Sequence, residues 1–64
     1  MASLTERERQ IVRLLGKGLA PKQIARQLGT SHNTVRQQLY KARDKAGCQS
    51  TIELAIKIAQ EERE

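Results

Sequence analysis

An all-α domain of four short helices is what this 64-residue chain predicts. Three observations carry that expectation. Apolar residues recur at helical spacing in four separate segments. Each segment opens on Thr, Ser or an Ala-Pro pair, and the first three close on glycine. No stretch alternates at the period of a strand. The helices are expected at residues 5–16, 21–28, 31–46 and 50–62. A chain this short builds one domain, with residues 1–3 read as a leader, 4–60 as the domain and 61–64 as an acidic tail.

The first helix opens at Thr5 in the run TERE. Such a run is a capping box: Thr5 accepts from the Glu8 amide, and the Glu8 carboxylate reaches back. Arg9 at N4 offers Leu4 no hydrophobic staple, so Leu4 is expected to pack elsewhere. Ile11, Leu14 and Leu15 form its inner stripe. Gly16 and Gly18 end it, with Gly18 suited to a left-handed position. The second helix begins at Pro21, which loses nothing at the first helical position. Its N-cap is then Ala20, a fault worth about 1 kcal/mol because alanine has no acceptor. Ile24, Ala25 and Leu28 face inward, and Gly29 closes the helix.

The third helix starts from Ser31 or Thr30 and ends before Gly47. Val35, Leu39, Ala42 and Ala46 make one narrow stripe. The opposite side presents Asn33, Arg36, Gln37, Tyr40, Lys41 and Asp44. The fourth opens with a second expected capping box, STIE, from Ser50 to Glu53. Ile52, Leu54, Ala55, Ile56, Ile58 and Ala59 make it apolar on more than one side. One buried face needs fewer, so the surplus asks for a second partner.

Composition excludes several functions. Tyr40 is the only aromatic, which argues against a ligand-lined cleft and against stacking platforms for single strands. Glu6, Glu8 and Glu53 are explained by helix starts, so nothing supports paired-carboxylate catalysis, and no enzyme is expected. His32 has no second metal-ligand type at useful spacing, so no metal or cofactor is expected; it is read as solvated near the cap. No apolar run approaches the roughly 18 residues of a membrane span, and a membrane partner is not expected. The single cysteine, Cys48, forms no internal disulfide, favours a reducing cytoplasmic setting, and is expected as a small buried hydrophobe.

The net charge of +5 is unevenly placed. Residues 17–45 hold seven cations against Asp44 alone. A basic middle in so small a chain points to a polyanion. A short turn followed by a polar, basic helix fits the helix-turn-helix plan, in which the second helix enters the major groove. Arg bonds guanine bidentately and Asn or Gln does the same to adenine, so Asn33, Arg36 and Gln37, with Tyr40 a turn further on, are candidate base contacts. Lys22 near a helix N-terminus, with Ser31, Thr34, Lys41 and Lys45, would grip phosphates and position the domain without reading sequence.

The run from LTERE through G-L-A-P-K-Q-I-A and S-x-x-T-V-R to G-x-x-S-x-x-E-L-A resembles the LuxR/GerE/FixJ-type helix-turn-helix domain, over residues 4 to about 59. That resemblance implies a bacterial transcriptional regulator bound to double-stranded DNA in the nucleoid. It implies base contacts at Arg36, Gln37 and Tyr40, and phosphate contacts at Thr34 and Gln38. It also implies a homodimer paired through the fourth helix, where Ile52, Ala55, Ile56 and Ala59 would meet. RNA polymerase is a further candidate partner, and no small-molecule ligand is implied for this domain.

The chain departs from the family pattern at Ala20, Gln38, Ala42, Ala46 and Thr51, where Ser or Thr, His, larger aliphatics and a basic residue are usual. Family members commonly carry a receiver or ligand-sensing domain ahead of this one. These 64 residues hold neither, so a stand-alone regulator and an excised piece both stay open. A second resemblance competes. TVRQQLYKARDKAG is similar to the last helix of region 4 of bacterial sigma factors, though region 4 generally ends there and this chain continues into another capped helix. A protein-interaction module working through the fourth helix is a third reading, from a different class.

Overall fold

The computed structural model describes residues 3–63, so Met1 and Ala2 of the expected leader and Glu64 of the expected tail lie outside the described residues. Four helices follow one another: α1 (Glu6–Gly16), α2 (Pro21–Leu28), α3 (His32–Ala46) and α4 (Thr51–Glu62). Each starts where its cap sits. Thr5 Oγ1 accepts from the Glu8 N–H at 3.1 Å and the Thr5 N–H donates to Glu8 Oε1 at 2.8 Å, closing the expected box. Ser31 Oγ accepts from the Thr34 N–H at 3.0 Å. Ala20 contributes no side-chain cap, yet its N–H donates to Gln23 Oε1 at 2.8 Å, so half of the box survives the missing hydroxyl.

The expected box at STIE is also only half formed. Ser50 Oγ accepts from the Glu53 N–H at 3.1 Å, but Glu53 makes no return bond. The difference tracks the cap's backbone. Thr5 and Ala20, whose amides are met, have φ of −71° and −72°, whereas Ser50 has φ of −144°. That rotation about N–Cα turns the Ser50 amide away from the side chain three residues on.

Glycine ends two of the helices for a conformational reason. Gly29 and Gly47 sit at φ of 69° and 70°, in the left-handed region that costs a side-chain-bearing residue roughly 1–2 kcal/mol. The following amides then bond back across the end: Thr30 N–H to Ala25 O at 2.9 Å, and Cys48 N–H to Arg43 O at 3.0 Å. The first reversal makes the tight turn between α2 and α3.

Helices α1 and α3 each pack on the other three, α1 most extensively along α4 and α3 along α2. The core is Ile11, Val12, Ile24, Ala25, Val35, Leu39, Ala42, Cys48, Leu54 and Ile58. The α3 stripe and the buried Cys48 lie as expected, with Ala46 half-buried at the edge. The α1 stripe is shifted. Ile11 pairs with Val12 in the core, and Leu14 and Leu15 are only half-buried, because α1 must face α2, α3 and α4. Leu4 packs on the core's edge, as the missing staple required.

The first two residues of the expected acidic tail, Glu61 and Glu62, are helical. Helix α4 runs through Glu62, whose Oε1 accepts from Arg13 Nε at 2.8 Å, and Arg9 Nη1 lies 3.6 Å from Glu62 Oε2. These ion pairs tie the last turn of α4 to α1. His32, expected to be solvated, is half-buried at the start of α3.

Candidate nucleic-acid interface

The outer face of α3 follows from what its inner face buries. With Val35, Leu39 and Ala42 directed into the core, a 100° step per residue places Asn33, Arg36, Gln37 and Tyr40 on the far side. All four are exposed, Tyr40 at 42%. Thr34, Gln38, Lys41 and Lys45 recur at i, i+4, i+7 and i+11, so they line one shoulder of that face. Arg43 lies on the other shoulder. The sequence reading did not single out Arg43, although its place three residues after Tyr40 was a usable signal.

Side chains on this face are already organised. Arg36 Nη2 donates to the Tyr40 hydroxyl at 3.1 Å. The Arg36 and Arg43 guanidinium carbons stand 5.9 and 5.3 Å from the Tyr40 ring centre, within cation–π range. The hydrogen bond from Arg36, and then its charge, hold the Tyr40 phenol below its ordinary range; the same bond pushes Arg36 up. At the helix start, Ser31 Oγ donates to Thr34 Oγ1 at 2.7 Å.

The expected phosphate residues divide. Lys22 is exposed in the first turn of α2, and Lys41 is exposed on the shoulder of α3. Gln38 is half-buried beside it. Lys45 is already committed: its ammonium lies 2.8 Å from Glu8 Oε1 and 3.1 Å from Oε2. That pairing joins α3 to the N-terminus of α1, and residue spacing did not foretell it.

On α4, Ile52 and Ile56 are 71% and 55% exposed. They line a shallow groove with Ala55, Ala59, Leu15 and Gly16. The surplus apolar face of α4 is therefore uncovered, and α1 extends it, a contribution the sequence reading missed. Among the described residues, no group of His, Cys, Asp and Glu is placed to hold a metal ion, and no helix is long and apolar enough to cross a membrane.

A three-residue turn between α2 and α3, a polar outer face on α3 and a fourth helix behind it define a helix-turn-helix domain of the DNA-binding, transcription-regulating class. The family described as bacterial regulatory proteins, luxR family, matches residues 2–58, and the chain belongs to that family. The match decides against region 4 of sigma factors. The chain is similar to the transcriptional regulatory protein UhpA of Escherichia coli (strain K12), 42% identical over 55 residues. It is equally similar to UhpA of Salmonella typhimurium (strain LT2), 42% identical over 55 residues. In both cases the alignment covers 86% of this chain and 28% of the relative, so the chain spans little more than a quarter of their length. No solved structure matches the chain significantly.

Proposed function

We propose that the domain binds double-stranded DNA sequence-specifically as a bacterial transcriptional regulator, with α3 in the major groove. One observation carries this reading. The residues able to fork onto base edges, Asn33, Arg36 and Gln37, stand exposed together on the first turns of the helix that follows the tight turn. Lys22, Lys41, the exposed Thr34 hydroxyl and Gln38 flank them as phosphate contacts, with Ser31 holding the cap that aims Thr34. Lys45 serves first as an internal ion-pair partner.

The uncovered strip of Ile52, Ala55, Ile56 and Ala59 supports pairing of two domains through α4 on DNA. A two-fold pair would read half-sites about 10 base pairs apart. For an activator, RNA polymerase would be the further partner, scored by run-off transcription with purified polymerase.

Titration with duplex DNA at several salt concentrations tests the reading. If the pair neutralises about 6–10 phosphates, affinity falls on the order of 10³ to 10⁵ between 50 and 200 mM salt. Absence of salt-dependent binding would favour a protein-interaction module.

A further inference from the structure

Tyr40 stands between two cations. Its hydroxyl accepts from Arg36, four residues before it, and Arg43, three residues after it, lies against its ring. Arg43 is held in turn by Asp44, whose Oδ1 accepts from Nη2 at 3.2 Å. Asp44, Arg43, Tyr40 and Arg36 thus form one chain of contacts along the outer face of α3. It ends on the residue best suited to bond a guanine.

An exposed arginine samples many rotamers, and ordering it on a base opposes binding. A guanidinium already held by a phenol has less freedom to lose. The Tyr40 bond uses one Nη2 proton, and Nε, Nη1 and the second Nη2 proton remain for a bidentate contact. The Tyr40 hydroxyl keeps its own proton, but swinging the side chain away onto a base of its own would break this bond and leave Arg36 loose.

We propose that Tyr40, braced by Arg43, is a positioning residue that pre-sets Arg36 for its base, and is not an independent reader. This rests on Arg36 being a base contact. Tyr40→Phe keeps the ring and loses only the hydroxyl. Arg43→Gln removes the brace.

The test is a double-mutant cycle on DNA. Arg36→Ala is measured first, on a preferred duplex and on duplexes changed one base pair at a time, to find the position where preference is lost. Tyr40→Phe should then lower discrimination at that same position by about three- to tenfold, with the salt dependence of binding unchanged. In an Arg36→Ala background it should have no further effect there. Arg43→Gln should lower discrimination at that position as well.

Independently, Tyr40 is the only tyrosine, so alkaline titration of tyrosinate absorbance reports it alone. Arg36→Ala should move that titration to higher pH. Loss of discrimination at a different base position, or equal loss with and without Arg36, would overturn the proposal. So would an unmoved tyrosinate titration, or a uniform change on all sequences. If wild-type protein binds duplex but Arg36→Ala loses no base preference, the reading of Arg36 itself fails and takes this proposal with it.

Discussion

Lys45 Nζ lies 2.8 Å from Oε1 of Glu8, a carboxylate buried to 5% exposure at the cap of the first helix. Burial by itself would raise the Glu8 carboxyl. The Lys45 hydrogen bond, the Thr5 backbone N–H and the Lys45 charge outweigh it and hold the group below its ordinary value of 4.5. One buried anion therefore serves two tasks, closing the capping box of α1 and anchoring the end of the candidate reading helix.

Lys45→Met removes one partner and leaves a buried carboxylate short of a donor, so it should destabilise the fold by about 1–3 kcal/mol in urea denaturation at neutral pH. Because the folded Glu8 value is lowered, its stabilisation is complete above about 4.5 and is lost as pH falls through the folded value. Glu8→Gln should therefore be less stable than wild type at pH 7 and show a shallower loss toward acid. Parallel acid profiles would contradict this.

Ala20→Ser should stabilise the domain. The Gln23 side chain already meets the Ala20 N–H, so a serine hydroxyl would supply the missing half of the box. A gain of about 1 kcal/mol corresponds to roughly 4–8 °C in a domain of this size. An unchanged melting temperature would show that the cap is not the weak point.

Ile56→Glu should leave the monomer folded, since the side chain is 55% exposed, while abolishing pairing through α4. Sedimentation of the complex with a two-half-site duplex distinguishes one bound domain from two. Two domains bound as tightly as before would place the contact elsewhere.

Lys41→Gln should weaken binding about equally on all sequences and reduce the salt slope by roughly one. A change confined to one base position would make Lys41 a reader.

What the sequence revealed was mostly local. The inner stripe Val35, Leu39, Ala42, the caps at Thr5 and Ser31 and the glycine stops depend on residues within one or two turns. They were legible because helix period and capping chemistry act over that range. The outer face of α3 came with its inner face, since burying one side fixes the other. Pairings distant in sequence were hidden: Glu8 with Lys45 is separated by 37 residues and Arg13 with Glu62 by 49. No periodicity relates such positions. Val12 replaced Leu14 and Leu15 in the core because α1 answers to three neighbours, which a single-stripe reading does not represent. The half-formed box at Ser50 depended on a backbone angle that residue identity leaves open.

Whether α3 reads duplex DNA is tested most directly by selection of bound sites from a random duplex pool by the purified domain. Enrichment of an inverted repeat with half-sites about 10 base pairs apart is expected, with loss of preference at one position per half-site for Arg36→Ala. A pool recovered without enrichment, or an enriched site indifferent to Arg36→Ala, would contradict that reading.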